Sequence, residues 1–296
     1  MISSICICLC VYQNAKGLPA IFRNIDIVKQ SGLFREIVVI AYYDNSTDSS
    51  LQLLEQYRNR FPQTTIIHHN NDTPLSTRVQ RISKARNGLL SIIRRYYAHF
   101  RFFAMMDSND YSCVGNIRPV TIENMLRRES EWDAISFDRM DGYYDHWALS
   151  YSPFIYSFFH FADWGNAVYQ LREDFSQKME YWRKKTPNEL IPVYSAFNGF
   201  AIYKTAIFID CSYSSVIDHS MFPPGSIETH CEIIQQSIVK KLEDDCEHRY
   251  FHLSSIKKKG ARIRISLEYA FERVVPTLLS VGSMKKRGLE FYPYNS

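Results

Sequence analysis

The sequence of 296 residues lacks a continuous apolar run long enough to cross a membrane. A spanning helix needs about 20 apolar residues, whereas the first apolar stretch breaks at Gln13 and lacks the basic start of a signal peptide. The most aromatic stretch, residues 147–161, is also too short and contains Pro153 and His160. We therefore expect a cytoplasmic protein without a signal peptide or a transmembrane segment.

Charge of one sign is scarce as well. The 35 basic and 31 acidic residues leave a formal net charge of +4, which is too small and too dispersed to indicate nucleic-acid binding. The seven cysteines include no pair with metal-site spacing. Cys6, Cys8 and Cys10 alternate along a predicted strand, so we interpret them as small buried apolar residues in a reducing compartment.

Apolar periodicity predicts alternating strands and helices over the first half of the chain. The predicted strands are residues 5–12, 36–41, 64–69 and 102–106, and the predicted helices are residues 17–30, 49–60 and 76–99. Short links between such elements indicate an α/β fold with a mostly parallel central sheet flanked by helices. Further on we predict helices at 120–128 and 167–185, and strands at 133–137, 195–203 and 247–253.

Polar side chains follow two of these strands. Asp44 comes after the second strand, and Asp107, Ser108, Asn109 and Asp110 come after the fourth. Because α/β sheets bind ligands at the carboxyl ends of their strands, we expect Asp44 and Asp107 to converge. Clustered carboxylates suit a hard cation such as Mg²⁺ or Mn²⁺. An Asx-rich turn that caps a helix explains the second cluster equally well.

Basic residues mark the beginning of the helix predicted at residues 76–99. Arg86 could reach a phosphate or a base if the loop at 70–75 brings the chain back over the same sheet edge. A solvated helix face is the alternative for Arg86, and it is the interpretation that we prefer for Arg78 and Arg81.

Three segments together resemble a known family. IVVIAYYDNSTDSS at 37–50, SKARNGLL at 83–90 and FFAMMDSND at 102–110 resemble the nucleotide-sugar-binding half of family-2-like, GT-A-fold glycosyltransferases. YYDHWAL at 143–149, SAFNGFAIYK at 195–204 and CEH at 246–248 are similar to a subgroup from large DNA viruses and bacteria. One position departs from the family pattern, because Asn109 stands third in the Asp-x-Asp element and Asp110 lies beside it.

The resemblance implies a GT-A, Rossmann-like fold with a C-terminal extension on the acceptor side. Residues 1–115 would bind the nucleotide sugar, residues 116–256 the acceptor, and residues 257–296 would form a basic extension. The implied activity is metal-dependent transfer of a sugar from a nucleoside-diphosphate sugar to a glycan or glycoprotein, in the host cytoplasm if the protein is viral. By the same resemblance Tyr12 and Asp44 hold the nucleoside, Arg86 the nucleotide or diphosphate, and Asp107 the ribose and the metal.

Donor and metal preferences follow from the chemistry of these side chains. A carboxylate at position 44 can accept a hydrogen bond from a uracil imide and gains nothing comparable from a cytosine ring nitrogen, so we predict a UDP-sugar. We predict Asp107 as the principal ligand of Mn²⁺ or Mg²⁺, with Asn109 or Asp110 as a second.

The late segment CEHRYFHL is expected to complete the site. If residues 247–253 form a strand, neighbouring side chains face opposite ways. We then assign His248 to the metal and Glu247 to a general base or to orienting the acceptor hydroxyl. The alternative is a structural histidine on an edge strand with Glu247 paired to a lysine.

Aromatic residues around Asp145 predict a wall that excludes water and stacks on a sugar. The wall would consist of Tyr143, Tyr144 and Trp147. Asp145 itself is either a ligand of the acceptor hydroxyl or a helix cap.

Two other function classes compete with glycosyl transfer. A nucleotidyltransferase would normally carry a glycine-rich phosphate loop after the first strand, where this chain has only Gly17. A non-catalytic nucleotide-sugar or glycan-binding protein is favoured by Asn109. The basic runs at 257–259 and 285–287 would give weak contact with an anionic membrane surface, or simply form a solvated face.

Overall fold

The structure, a computed structural model, describes residues 3–70, 72, 77–113, 115–157, 160–161, 164–216, 218–237 and 244–272. Lys285, Lys286 and Arg287 lie outside the described residues, so membrane contact through the basic extension stays a prediction. Nowhere in the described ranges does a helix combine the length and the hydropathy that crossing a membrane requires.

The first half of the chain alternates strands and helices as predicted. Its strands are β1 (Ser3–Val11), β2 (Phe34–Tyr43), β3 (Thr65–His69) and β4 (Phe102–Asp107), and its helices are α1 (Leu18–Gln30), α2 (Ser50–Arg60) and α3 (Arg78–Tyr96). Each predicted element of this half is confirmed to within a few residues. Thr77 begins α3 as an N-cap, because its side chain accepts a hydrogen bond from the Gln80 amide at 3.2 Å.

The second half is less regular. Its strands are β5 (Asn116–Ile117), β6 (Ala134–Asp138), β7 (Ile191–Val193), β8 (Phe200–Lys204), β9 (Ile263–Tyr269) and β10 (Phe271–Glu272). Its helices are α4 (Pro119–Arg127), α5 (Trp164–Lys185), α6 (Thr205–Phe208), α7 (Ser226–Ile234) and α8 (Glu247–Lys259). The strands β5, β7, β9 and β10 and the helices α6 and α7 were not predicted.

One mixed sheet of eight strands forms the centre of the described chain, in the order β3-β2-β1-β4-β8-β6-β9-β7. The pairs β3–β2, β2–β1, β1–β4 and β6–β9 are parallel, whereas β8 and β7 run antiparallel to their neighbours. The predicted class, α/β with a mostly parallel central sheet flanked by helices, is confirmed. Cys10 of β1 pairs in register with Tyr42 of β2 and with Asp107 of β4, so the carboxyl ends of these strands are level.

Both faces of the sheet are covered by apolar side chains. On β1, Cys6 and Cys8 pack into the cluster that includes Leu89 and Ile93 of α3, whereas the intervening Ile7 packs toward Ile25 of α1. This alternation is why the strand has no polar face. The predicted buried, apolar role of Cys6 and Cys8 is confirmed, and all seven cysteines are free thiols.

The segment 247–253 is a helix, so its predicted strand conformation is wrong. It begins α8, which ends at Gly260 in a left-handed conformation, with φ 64°, after three lysines. Eight of its thirteen residues are buried, spread around the helix. Because buried residues lie on every side of its first turns, the helix shows no apolar stripe of period 3.6. Our prediction relied instead on the alternation of side chains along the segment. Lys257, Lys258 and Lys259 are exposed in its last turn.

His230 of α7 holds part of the aromatic stretch that follows Leu149. Its Nδ1 accepts hydrogen bonds from the amides of Ile155 and Tyr156, each at 3.2 Å, and the residue is fully buried. Burial above all, with the nearby His160 and Arg249, lowers the pKa of His230 to about 3. The imidazole is therefore neutral in the folded protein at every pH above that value.

We expect acid to destabilise the fold through His230. An unfolded histidine takes up a proton below pH about 6.5, whereas folded His230 does not, so its contribution is fully present above pH 6.5 and is lost as the pH falls. The free energy of unfolding should decrease by up to about 1.4 kcal/mol per pH unit from this residue. Urea unfolding between pH 7.5 and 4.5 measures it. The free energy of unfolding of His230→Asn should depend less steeply on pH than that of wild type. His99→Gln, which changes an exposed histidine, should keep the wild-type slope. Equal slopes for all three proteins would contradict the assignment.

Candidate functional site

A cleft of about 310 Å³ opens at the level ends of β1, β2 and β4. The predicted site residues Tyr12, Asp44, Arg86, Asp107 and Asn109 all line it. The structure thus brings together side chains from both acidic loops and from α3. Arg78 and Arg81 also line the cleft, which corrects our interpretation of them as a purely solvated face.

Tyr12 and Arg81 face each other at one side of the cleft. The guanidinium carbon of Arg81 lies 5.0 Å from the centroid of the Tyr12 ring, a cation–π geometry. Tyr12 remains 45% exposed. An exposed aromatic ring beside a cation offers a planar ligand a stacking surface.

Asp44 is oriented by a residue that the sequence did not single out. Asn70, buried just beyond β3, donates a hydrogen bond from Nδ2 to Asp44 Oδ1 at 2.6 Å, and its own carbonyl accepts from Asn45 Nδ2 at 2.9 Å. Nothing in the sequence around Asn70 distinguishes it from an ordinary loop asparagine. Asn70 links the ends of β2 and β3, and this link positions the carboxylate of Asp44 at the cleft.

Arg86 is buried at the base of the cleft among acidic and aromatic groups. Its Nε lies 3.1 Å from Glu247 Oε1, an ion pair without hydrogen-bond alignment, and its Nη2 lies 3.4 Å from Asp107 Oδ1. The ring of Phe197 lies 4.5 Å from the guanidinium carbon. Burial opposes the charge of Arg86, but Glu247 and its other neighbours outweigh burial and raise its pKa.

Asp107 has three side-chain partners. Besides Arg86, Ser112 Oγ and Tyr144 Oη donate to Asp107 Oδ2 at 3.2 and 3.4 Å. Burial raises the pKa of Asp107, and the opposing charge of Arg86 does not cancel this effect. The side chain is nevertheless 26% exposed, so it is a cleft carboxylate whose negative charge is under-compensated by the protein.

Asn109 and Asp110 have different surroundings. Asn109 Oδ1 accepts from the amides of Tyr111 and Ser112, at 3.1 and 2.7 Å, and so closes an Asx turn. Asp110 forms an ion pair with Lys16 and is not among the residues that line the cleft. The loop is therefore an Asx turn, but it leads to β5 instead of capping a helix, and it presents Asp107 to the cleft. A metal ion at this loop stays a prediction.

The predicted metal ligands do not form a cage by themselves. Among the described residues, no three His, Cys, Asp or Glu side chains are grouped so that they could hold a metal ion. A magnesium-type cation, however, is commonly held by one or two carboxylates together with substrate phosphates and water. The single under-compensated carboxylate of Asp107 fits that kind of site.

His248 lies behind Arg86. Its Nε2 contacts Arg86 Nη1, its Nδ1 lies 3.4 Å from Tyr203 Oη, and its ring stacks on Phe197 at 3.9 Å between centroids. Burial, with the charge of Arg86 and the proximity of His252, lowers the pKa of His248 well below its usual value. Both ring nitrogens face protein groups, so the predicted role of His248 as a metal ligand does not fit this arrangement.

Glu247 and Asp145 both interact with other groups of the protein. Glu247, the first residue of α8, is buried and pairs with Arg86 instead of a lysine. Asp145 accepts from the amides of Ala148 at 3.1 Å and Asn198 at 3.2 Å, so it caps the turn at 146–148. Burial first, and then the charges of Asp107 and Glu247, raise the pKa of Asp145 to about 6.

Of the predicted aromatic wall, Tyr144 contacts Asp107 directly. Its single hydroxyl hydrogen is shared between Asp107 Oδ2 at 3.4 Å and Ser112 Oγ, which is closer at 2.8 Å. Tyr143 is buried against Phe175, with ring centroids 5.0 Å apart, and Trp147 stacks on His160 at 5.1 Å. Tyr143 and Trp147 are therefore packed into the protein, and Tyr144 is the member of the wall that reaches Asp107.

Asn198 and Gly199 form a second support, and they lie before the strand β8, so the first part of the strand predicted at 195–203 is wrong. Both have positive φ, 56° and 86°, and the carbonyl of Gly199 accepts from the Asp107 amide at 2.8 Å. An Asn-Gly dipeptide is a recognised turn signal. This signal could have located the turn, although not its contact with β4.

Gly199→Ala is expected to destabilise the fold by about 2–3 kcal/mol. A Cβ at this position would lie 2.7 Å from Ser112 Cβ and 2.9 Å from Tyr144 Oη, at a φ of +86°. Gly142→Ala is the matched control, because Gly142 has a φ of +97° with nothing within 4 Å, and should cost about 1 kcal/mol from backbone strain alone. Equal losses of Tm in the two variants would show that steric contact at Gly199 is unimportant.

Comparison with known proteins gives likenesses among solved structures. No protein-family model matches the sequence, and no curated protein matches it. The chain is similar to Staphylococcus aureus TarS 1–349 in complex with UDP-GlcNAc, with 15% identity and a TM-score of 0.47, over 91% of this chain and 59% of that chain. It is similar to the mannosyltransferase PcManGT from Pyrobaculum calidifontis in complex with GDP-Man and Mn²⁺, with 12% identity and a TM-score of 0.41, over 93% and 59%. It is also similar to glucosyl-3-phosphoglycerate synthase from Mycobacterium tuberculosis, with 10% identity and a TM-score of 0.41, over 93% and 74%. The chain thus spans about three fifths of the length of the TarS 1–349 chains that it resembles.

Proposed function

We propose that this protein is a metal-dependent glycosyltransferase of the GT-A type that moves a sugar from a UDP-sugar to a glycan or glycoprotein acceptor. The observation that carries the proposal is the meeting of Tyr12, Asp44, Arg86 and Asp107 in one cleft at the carboxyl ends of parallel strands. These residues come from the three segments on which the sequence resemblance rests and from the end of the first strand. Ligand binding at this edge is the rule in open α/β sheets.

The nucleoside would lie across the ends of β2 and β1. Tyr12 offers an exposed ring for stacking, and Asp44 presents a carboxylate held by Asn70 at 2.6 Å. A uracil imide can donate to this carboxylate. The diphosphate would then extend toward Asp107 and the cationic side chains of α3.

We expect UDP to bind more tightly than CDP by roughly 10-fold, the value of a hydrogen bond to a charged group. Calorimetry with both nucleotides in the presence of Mn²⁺ measures the ratio. Asp44→Asn should reduce it toward 1, whereas Asp48→Asn, in the same loop but outside the cleft lining, should leave it unchanged. A ratio near 1 in wild type would remove Asp44 from base recognition.

Asp107 would hold the divalent cation together with diphosphate oxygens. When bound, Mn²⁺ or Mg²⁺ supplies Lewis-acid neutralisation of the leaving diphosphate. Arg86, buried beside Asp107, adds a fixed positive charge on the same side of the cleft. Asn109 supports the loop through its Asx turn, and Asp110 is held by Lys16.

The acceptor hydroxyl must give up a proton, and two acids are candidates to take it, the partly buried Asp145 and the buried Glu247. Asp145 has a pKa raised to about 6, close to the range in which a general base works best. Glu247 already forms an ion pair with Arg86. These surroundings support Asp145 as the general base and Glu247 as the residue that orients Arg86.

Release of nucleoside diphosphate from a panel of UDP-, GDP- and CDP-sugars, with and without Mn²⁺, tests the proposal. We expect metal-dependent release from a UDP-sugar, faster with the correct acceptor. Tight UDP binding without any turnover would favour the alternative hypothesis of a non-catalytic binding protein, which Asn109 supports. Full activity in EDTA would overturn the proposed metal dependence.

A further inference from the structure

A chain of buried polar side chains runs from the cleft into the protein interior behind Arg86. Arg86 Nη1 contacts His248 Nε2, His248 Nδ1 lies 3.4 Å from Tyr203 Oη, and Tyr203 Oη lies 3.3 Å from His252 Nε2. The chain ends where His252 Nδ1 lies 3.0 Å from Ser195 Oγ. All five side chains are buried, and Tyr203, His252 and Ser195 are completely so.

The donor at the start of this chain determines the tautomer of His248. A guanidinium is always a donor, so His248 Nε2 accepts from Arg86 and the ring proton of neutral His248 is on Nδ1. This proton is donated to Tyr203 Oη. Tyr203 keeps one hydroxyl hydrogen, which we assign to His252 Nε2, 3.3 Å away. The proton of neutral His252 is therefore on Nδ1 and is donated to Ser195 Oγ.

Neighbouring rings hold the two histidines in place. His248 lies between Phe197, which stacks at 3.9 Å, and Tyr213, whose ring meets it edge-on at 5.5 Å. His252 stacks with Tyr203 at 5.7 Å. Since α8 supplies both histidines one turn apart, and β8 supplies Tyr203, the chain ties Arg86 of α3 to two further elements.

We propose that His248 is a positioning residue for the donor nucleotide, which acts by fixing the plane of the Arg86 guanidinium through this directed hydrogen-bond chain. The inference rests on the proposed function, since Arg86 is assigned there to the nucleotide. A guanidinium presents its N–H groups in one rigid plane, so the orientation of that plane decides which amino group can reach a phosphate oxygen. With Nη1 held by His248 and Nε facing Glu247, Nη2 is the amino group that is directed toward Asp107 and the cleft.

A matched pair of substitutions separates this role from a purely structural one. Glutamine can place an acceptor oxygen where Nε2 lies, so His248→Gln keeps an acceptor for Arg86. Asparagine can place its amide N–H where Nδ1–H lies, so His248→Asn keeps the donor to Tyr203 and loses the acceptor for Arg86. We expect UDP affinity to fall on the order of 10-fold in His248→Asn and to be largely recovered in His248→Gln.

Calorimetry with UDP and Mn²⁺ gives the affinities, and nitrogen-15 NMR of the wild-type histidines gives the tautomers without any ligand. We expect both His248 and His252 as neutral rings protonated on Nδ1, and a smaller loss of UDP affinity in Tyr203→Phe than in His248→Asn. An Nε2-protonated His248, or UDP affinity in His248→Asn equal to that of wild type, would overturn the inference. Failure of wild type to bind UDP would instead count against the proposed function, while the tautomer result would still decide the direction of the chain.

Discussion

Replacing Asp107 by Asn is expected to lower sugar transfer by roughly 10³-fold, the equivalent of about 4 kcal/mol of lost charge stabilisation. The carboxamide keeps the shape of the side chain and can still accept from Ser112 and Tyr144, whose hydroxyls lie 3.2 and 3.4 Å from Oδ2. It removes the negative charge that a divalent cation needs. UDP binding should also lose its dependence on Mn²⁺.

The same substitution should not destabilise the protein. Because burial raises the pKa of Asp107, the folded protein prefers the neutral carboxyl group, and the ionised form costs stability at neutral pH. Arg86 keeps its ion pair with Glu247 at 3.1 Å when the charge at position 107 is lost. We therefore expect Asp107→Asn to melt at the wild-type temperature or above it.

Two further variants make this comparison specific. Asp110→Asn alters the neighbouring carboxylate, which pairs with Lys16 outside the cleft lining, and should change transfer by no more than a few-fold, as expected for a surface ion pair. Asp210→Asn removes an exposed carboxylate outside the cleft and serves as the charge control. If Asp110→Asn lost transfer and Asp107→Asn kept it, the metal ligand would be Asp110.

The end of β4 was predictable because the physics is local. Phe102 to Met106 form an uninterrupted apolar run, which in a parallel sheet means a strand buried on both faces, and the polar residues that follow must lie at its carboxyl end. The parallel register of β1 with β2 and β4 then places Tyr12, Asp44 and Asp107 on one edge. The order of the strands did not have to be known, because the carboxyl ends of parallel strands share one edge of the sheet in any order.

The partners of Arg86 could not be predicted in this way. Glu247 and His248 lie about 160 positions further along the chain, and the helix that carries them has no apolar stripe because buried residues lie on every side of its first turns. The alternating pattern in CEHRYFHL therefore predicts a strand. Which way Glu247 and His248 face is decided by packing against α3 and Phe197, and single-sequence periodicity contains no information on that packing.

Two opposing effects act on Arg86, the desolvation of a buried charge and its attraction to acidic neighbours. A buried ion pair often contributes little to stability, because desolvation of both charges offsets their attraction. Removing one member alone is costly, since the other charge stays buried without a partner. Arg86 faces Glu247 and Asp107, and Asp145 is near enough to both acids for their charges to raise its pKa. Arg86 is therefore the cation on which this group of acids depends.

Arg86→Met is accordingly expected to lower the free energy of unfolding by about 3–5 kcal/mol, and Glu247→Gln by about 2–3 kcal/mol, because Arg86 retains Asp107 in the second case. The double variant should be less destabilised than the sum of the two single variants by at least about 2 kcal/mol. Urea unfolding at neutral pH of wild type, the two single variants and the double variant measures this coupling. The exposed pair Arg127 and Glu123, 2.7 Å apart on α4, provides the matched control, for which Arg127→Met and Glu123→Gln should show a coupling of only about 0.3–0.5 kcal/mol.

The double variant should recover part of its stability but not its affinity for UDP. Without the guanidinium, UDP binding stays weak even where the neutral pair restores the fold, because the diphosphate has lost a fixed cation. Additive losses in the Arg86 and Glu247 cycle, or a coupling no larger than that of the Arg127 and Glu123 pair, would mean that the two side chains do not interact as a buried ion pair. Recovery of wild-type UDP affinity in the double variant would instead remove Arg86 from the donor site and leave it a purely structural residue.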